Sequence, residues 1–244
     1  MTPVLYQFQC SHFCEKARWA LDWKGIDYLP KNLVPGPHAR TARRLAQRTS
    51  VPILRHGEHV IQGSGEIIDF LDAHYPRRRL TPGTTAEAHA AREWERWLDA
   101  EIGVLLRLWF YHHALADRGL ATRFILQGAP WHGHLLYALA WSRIGKVMRR
   151  AMGIDARTAR DAEQRVAVAL DRLAGALAGR TYLVGKEFSR ADLTAAALLS
   201  PLVNADEAHL PEPVAEFRAQ RATHPMIAWV RQRYATERAP AAGA

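Results

Sequence analysis

Cysteine is nearly absent from this chain: its 244 residues include two, Cys10 and Cys14, four apart at one place. So close and isolated a pair is a poor staple for a secreted domain, which excludes a disulfide-built scaffold. Also missing is any uncharged apolar run of the roughly 20 residues needed to cross a bilayer. The richest stretch, 191–203, is short, alanine-heavy and interrupted by Asp192. Met1 is followed almost at once by Pro3 and a strand-like segment without a basic leader, so a cytoplasmic location is expected. None of the twelve histidines falls in an HExxH or Cys/His spacing, and no metal site is expected. Lysine is scarce, five against 28 arginines, a bias that reads as GC-rich bacterial coding rather than as a surface function. There is no internal repeat, and the one biased segment is the Ala- and Pro-rich tail after Arg238, expected to fray.

What is present is ordinary globular composition, 48% hydrophobic and 23% charged. The net charge is +9, yet the basic residues are scattered and the densest clusters, Arg77-Arg78-Arg79 and Arg149-Arg150, are short. Neither a nucleic-acid partner nor a membrane is expected; the reading is a solvated basic surface that attracts anionic substrates.

The first 75 residues read as β-α-β-α-β-β-α. Val4 to Gln9 is a short apolar strand, and Glu15 to Lys24 has helical spacing with Gly25 as its stop. A second strand runs from Asp27 to Leu33, and an Arg- and Ala-rich helix from His38 to Arg48. Val51 to Arg55 and Glu58 to Gln62 form a hairpin about His56-Gly57, after which Ser64 caps a helix carrying Ile67, Ile68, Phe70 and Leu71. One strand-helix-strand unit followed by a helix, a hairpin and a helix is a thioredoxin-like arrangement. Prolines, a glycine and a charge run then mark a linker over 76–87. Beyond it, over 88–238, the pattern is helical throughout: 86–116, 119–127, 134–152, 156–178, 190–203 and 213–235. The fold class is therefore α/β plus all-α.

Three local features carry chemistry. Ser11-His12-Phe13-Cys14 stands where the first strand meets the first helix, whose unpaired N–H groups and partial positive charge stabilise a thiolate. Ser11 suits a donor to a bound thiolate, Cys14 or Cys10 suits a nucleophile, and Ser11 also fits a plain helix cap. Val51-Pro52 has the form of a cis turn that frees backbone groups for an extended peptide ligand; a trans proline opening an edge strand fits as well. Gln62-Gly63-Ser64-Gly65 ends a strand and opens a helix, an anion nest suited to a carboxylate or an ordinary capped turn.

The order and spacing of Ser11-His12-Phe13-Cys14-Glu15-Lys16-Ala17-Arg18, Ser50-Val51-Pro52-Ile53-Leu54 and Gly63-Ser64-Gly65-Glu66-Ile67-Ile68 resemble the N-terminal domain of glutathione transferases. Farther on, Phe188-Ser189-Arg190-Ala191-Asp192-Leu193 resembles the capping box and hydrophobic staple of that superfamily's helical domain, with Asp192 reaching back to Ser189 and Phe188 packing on Leu193. The likeness spans nearly the whole chain and is loosest over 120–155. It implies glutathione as co-substrate, conjugation to a hydrophobic electrophile of the detoxifying kind, and a homodimer. Ser11 would activate the sulfur, as in theta-like members that carry a serine here and a cysteine three residues on, where this chain has Cys14. Val51 would pair by backbone with the cysteinyl unit, Pro52 would be cis, and Ser64 with the Gly65 backbone would hold the γ-glutamyl carboxylate. His38 would lie near the glycine carboxylate.

Two positions depart from the family pattern. Gly63 replaces an expected Glu, Asp or Gln, leaving the ligand's α-amino group short of an acceptor, and Glu15 stands where theta-like enzymes often have arginine. The second substrate would sit between the domains, where the run Trp109-Phe110-Tyr111-His112-His113 offers Trp109, Tyr111 and His112 as a wall; the same run also fits helix core. Two rival functions remain, a thiol-disulfide exchange enzyme using Cys14 or Cys10 and a non-catalytic binding protein on the same scaffold.

Overall fold

The computed structural model describes residues 2–206 and 210–238; the tail after Arg238 lies outside them. The first part is a four-stranded mixed sheet with helices, in the order β1 (Val4–Gln7), α1 (His12–Trp23), β2 (Leu29–Asn32), α2 (His38–Leu45), β3 (Ile53–His56), β4 (His59–Gln62) and α3 (Ser64–His74). Spatially the strands run β2-β1-β3-β4. β1 pairs parallel with β2, Val4 opposite Leu29, and antiparallel with β3, Leu5 opposite Leu54. A parallel pair needs a crossover, and α1 supplies it. This is the thioredoxin-like arrangement expected from the sequence, with each strand a residue or more shorter than its pattern suggested.

The rest is helical: α4 (Thr85–Leu98), a π-helical segment Asp99–Val104, α5 (Leu105–Ala114), α6 (Arg118–Ile125), α7 (Trp131–Met152), α8 (Ala156–Ala176), α9 (Arg190–Leu198), α10 (Ser200–Val203), α11 (Glu212–Gln220) and α12 (Pro225–Thr236). Three expected helices are subdivided. The 86–116 segment contains the π turn, 190–203 breaks at Leu199, and 213–235 breaks before Pro225, which lacks an N–H and opens a new helix at its first position.

α1 is the central element. Ala17, Trp19, Ala20 and Leu21 are fully buried, and Trp19 stacks on Phe188 at 5.8 Å while Trp23 meets the same ring at 4.9 Å. The box at the start of α9 forms as the motif suggested. Asp192 Oδ2 accepts the Ser189 N–H at 3.0 Å and its hydroxyl at 2.7 Å, and Oδ1 accepts the Leu183 N–H at 2.7 Å. Phe188 is buried in the core that also holds Leu193, its ring contacts being with α1 and Tyr182.

α7, in the stretch of weakest likeness, reaches across to the first domain. Tyr137 donates its hydroxyl to the Pro35 carbonyl at 3.2 Å, and Gly133 lies so close to Val34 that a Cβ would meet its methyl groups. No helix among the described residues is long and apolar enough to cross a membrane.

Candidate active site

The end of β1, the first turn of α1, the Val51-Pro52 turn and the start of α3 converge on two adjoining clefts. One, of about 610 Å³, is lined by Cys10, Ser11, Phe13, His38, Val51, Phe110 and Tyr111 among others. The other, of about 700 Å³, is lined by Val51, Pro52, Gly63, Ser64, Gly65 and Glu66. Phe13, Ser50, Val51 and Arg107 border both. The structure thus brings Ser11, His38, Val51, Pro52, Ser64 and Gly65 to a trough of adjoining clefts at the end of the sheet where β1 finishes and β3 begins.

Ser11 is the N-cap of α1, and its Oγ accepts the Cys14 N–H at 3.3 Å. That bond uses a lone pair and leaves the hydroxyl hydrogen to donate to a neighbouring anion. Cys14 points inward and is fully buried, and burial pushes its thiol above the ordinary range. Cys10 is partly buried; burial pushes its thiol up to about 12, with Cys14 adding to the shift and a hydrogen bond from Tyr111 opposing it. Neither sulfur has the electropositive, exposed surroundings of a reactive thiolate. Glu15 turns away from the cleft, pairing with Arg18 at 2.8 Å and Arg238 at 3.1 Å, so its charge is met locally.

The Val51–Pro52 bond is cis. Strand pairing by β3 begins at Ile53, so the backbone of Val51 faces the cleft ahead of the ladder. At the start of α3 the cap position belongs to Gly63, with φ 114°, and Ser64 is the first helical residue rather than the cap. A left-handed φ of that size favours glycine. The same glycine leaves room for Glu66: a Cβ on residue 63 would collide with the Glu66 carboxylate. Arg48 holds that carboxylate at 3.1 Å. The departure at Gly63 is therefore accompanied by an acidic group from one turn later, standing over the same spot.

His38 lies in the first cleft beside Phe8, ring centroids 4.8 Å apart, and its Nδ1 accepts the Gly36 N–H at 2.9 Å. Burial lowers its pKa, so the imidazole is neutral at neutral pH. Among the three residues offered as a hydrophobic wall, Tyr111 lines the cleft, whereas Trp109 and His112 line neither cleft. Trp109 is fully buried against Phe217, with centroids at 4.8 Å. The 3.6-residue period explains the split: Leu106, Arg107, Phe110 and Tyr111 share the cleft face of α5, and residues 109 and 112 turn away from it.

Four features were not apparent in the sequence. Arg107 enters the cleft from α5. Glu66 folds over Gly63. The π turn Asp99–Val104 brings Gly103 against Phe13, so closely that a Cβ there would strike the ring. Beneath the second cleft, Lys16 Nζ is bound by Glu95 at 2.8 Å and Asp99 at 3.0 Å, and Arg190 by Glu95 and Asp69, each at 2.6 Å. Arg190 also donates to the Gly65 carbonyl at 3.3 Å. Among the described residues no group of three or more His, Cys, Asp or Glu is placed to hold a metal ion.

Residues 5–79 match the glutathione S-transferase N-terminal domain family, and residues 139–233 match its C-terminal domain family. The chain is 26% identical over 206 residues to Glutathione S-transferase TCHQD of Arabidopsis thaliana, covering 81% of this chain and 76% of that one. Over 81 residues it is 36% identical to Glutathione S-transferase Z2 of the same plant, 32% of this chain and 36% of the relative. Among solved structures it is similar in fold to the beta-etherase LigF from Sphingobium sp. strain SYK-6, with TM-score 0.65 and 19% identity over 96% of this chain and 100% of that one. A theta class glutathione S-transferase from Xanthomonas axonopodis pv. citri, with glutathione bound, aligns with TM-score 0.61 and 18% identity over 93% and 95% of the two chains. With both halves of the architecture matched in order and the trough lying where they meet, the chain belongs to the glutathione transferase superfamily.

Proposed function

We propose that this glutathione transferase conjugates the glutathione thiolate to an electrophilic small molecule, with Ser11 stabilising the thiolate. The observation that carries the reading is the contrast at the start of α1: the Ser11 hydroxyl borders the cleft, while both cysteines have their thiols held in the protonated form. That contrast favours a bound thiolate over an enzyme-borne one, and so conjugation over cysteine-based exchange. In this reading the glutathione backbone pairs with Val51 beside cis Pro52. Its γ-glutamyl carboxylate takes the Ser64 hydroxyl and the free N–H groups of the first turn of α3. The α-amino group meets the Glu66 carboxylate in place of a side chain at position 63, and the glycyl end lies toward His38. The sulfur then points at Ser11 and the α1 N-terminus, where a hydrogen bond and the helix dipole both favour the charged form. Tyr111, Phe110 and Phe13 form the apolar wall that receives the electrophile. The homodimer that the resemblance implies, and the cytoplasmic location expected from the sequence, belong to the same proposal.

The test is calorimetric titration with glutathione near neutral pH in two buffers of different ionisation enthalpy. The expected result is binding with close to one proton released, the signature of a thiol that ionises on binding. Binding without proton release favours a carrier or an exchange enzyme, and absence of binding overturns the assignment.

A further inference from the structure

Arg107 is a cation that the glutathione reading leaves without a task. It projects from α5 one turn before Tyr111 and borders both clefts. Arg107 is half-buried, and other buried or half-buried arginines of this chain are matched by carboxylates: Arg190 by Glu95 and Asp69, Arg238 by Glu15 and Asp22. Arg233, whose Nε is likewise sealed from solvent without an acceptor, has Glu237 at 3.4 Å. Arg107 has a sealed, unbonded Nε and, among the described residues, no carboxylate within ion-pair distance.

Carboxylates line the far parts of the second cleft, but the groups against the guanidinium itself carry no negative charge. Phe13 lies with its ring centroid 5.9 Å from the guanidinium carbon, and Leu106 and Phe110 add apolar surface. The Tyr111 hydroxyl stays protonated because burial raises its pKa far above the ordinary value. His12 stays neutral because burial, and then Arg107 itself, disfavours the imidazolium. Burial also lowers the pKa of Arg107, but a guanidinium remains charged at neutral pH. Desolvating a charge without a partner is unfavourable, and an anion entering the cleft would relieve it. Both glutathione carboxylates are already provided for, one at the start of α3 and one toward His38, while Arg107 stands on the α5 wall with Phe110 and Tyr111.

We propose that Arg107 is a specificity-determining residue that binds an anionic group, a carboxylate or comparable oxyanion, on the electrophilic second substrate. The enzyme then prefers acid-bearing electrophiles to their neutral isosteres. The inference rests on the conjugation reading. With an aryl chloride as electrophile, the thiolate sulfur forms the C–S bond, and the C–Cl bond breaks with chloride taking the electron pair. The thiol proton has already passed to solvent on glutathione binding. Arg107 holds the carboxylate and exchanges no proton or electron.

The experiment compares a chloronitrobenzoate with the matching chloronitrobenzamide in the wild type, Arg107→Gln and Arg107→Lys. The benzoate-to-benzamide ratio of kcat/KM should fall about tenfold to a hundredfold in Arg107→Gln, chiefly through KM for the benzoate, as expected for loss of a charge-assisted bidentate contact. Arg107→Lys should lie between. A folded Arg107→Gln with the ratio unchanged overturns the proposal. So does loss of glutathione binding in that variant, since Arg107 would then serve glutathione, and the transferase reading would still stand. Binding of unreactive nitrobenzoate and nitrobenzamide to the wild type, with and without glutathione, covers a variant that fails to fold. At least about tenfold tighter binding of the acid is expected, and equal binding overturns the proposal. Because the measurement without glutathione stands alone, a failure of the glutathione reading is seen separately.

Discussion

Arg190→Met tests how the helical domain supports the glutathione trough. Arg190 is 1% exposed, and its guanidinium is held by Glu95 through Nε and one terminal nitrogen, each at 2.6 Å. That same terminal nitrogen also meets the Gly65 carbonyl at 3.3 Å, while the other terminal nitrogen meets Asp69 at 2.6 Å and Thr81 at 3.1 Å. Removing one member of a buried ion pair costs about 3–5 kcal/mol. The lower end applies here, because Glu95 keeps Lys16 at 2.8 Å and Asp69 keeps Arg92 at 2.8 Å. Asp69 is also 43% exposed, so its share is screened by solvent. The expected loss is therefore about 3 kcal/mol, within the roughly 5–15 kcal/mol that holds a protein folded. It corresponds to a fall in Tm of about 6–12 °C for a chain of this size. Since Gly65 opens α3 beside Ser64, glutathione should also bind more weakly. Thermal melts and denaturant titrations at fixed protein concentration, followed by glutathione titration, read both effects. A loss below about 1 kcal/mol would refute the reasoning, as would weakened stability with glutathione affinity intact, because the bond to Gly65 would then position nothing.

Two further perturbations address the first turn of α1. Cys14→Ser puts a hydroxyl into a fully buried site and should lower stability by about 1–3 kcal/mol while conjugation continues; abolished turnover in the folded variant would sink the serine reading. His12 is a pH marker: its pKa is lowered to about 3 by burial and Arg107, and its Nε2 donates to the Gly103 carbonyl at 3.0 Å. A folded-state pKa below the unfolded value means that protons favour the unfolded chain. The contribution is fully present above the unfolded pKa and is lost as pH falls from about 6.5 toward 3, with a slope of up to about 1.4 kcal/mol per unit. His12→Gln should remove that slope. Asp192, whose pKa burial raises to about 6, acts in the opposite sense in both proteins and cancels in the comparison. Identical pH dependence of the urea midpoint in wild type and variant would contradict the assignment.

The fold was legible because its determinants are local. The first strand, the cap at Ser11, the Val51-Pro52 turn and the box at Ser189 each occupy a few adjacent residues, and their order defines the arrangement. The mistakes have local explanations too. Ser64 resembles a cap by residue type, yet the position demands φ near 114° and falls to Gly63. The run 213–235 keeps helical composition across His224-Pro225, and the hydrophobic pattern hides a break that proline's restriction on the preceding residue accounts for. The π turn left no periodic trace in 86–116. Its visible correlate is Gly103 under Phe13, a contact between residues 90 positions apart that no local pattern contains.

The site divides along the same line. Ser11, Val51, Ser64 and Gly65 could be singled out because each stands at an element boundary, where free N–H and C=O groups give a residue its chemistry. Arg107 and Arg190 stand among 28 arginines, and nothing about their neighbours in sequence separates them from solvated ones. What distinguishes them is partnership in space: Arg190 is tied across 125 positions to Gly65, and Arg107 is half-buried, its Nε sealed, without a carboxylate at ion-pair distance among the described residues. The aromatic run at 109–113 shows the converse error, since residue type suggested a wall and only the helical period assigns Tyr111 to the cleft and Trp109 to the core. The capping motif at Ser189 carries both lessons in one hexapeptide. Its Asp192 reaches back to the Ser189 N–H, as the motif foretells, and also takes the Leu183 N–H nine residues away. Arg190, between Ser189 and Asp192, reaches into the other domain and holds the Gly65 carbonyl of the helix proposed to bind glutathione. A motif that looks concerned with folding alone therefore couples the helical domain to the ligand trough, so a change at Arg190 is expected in both stability and affinity.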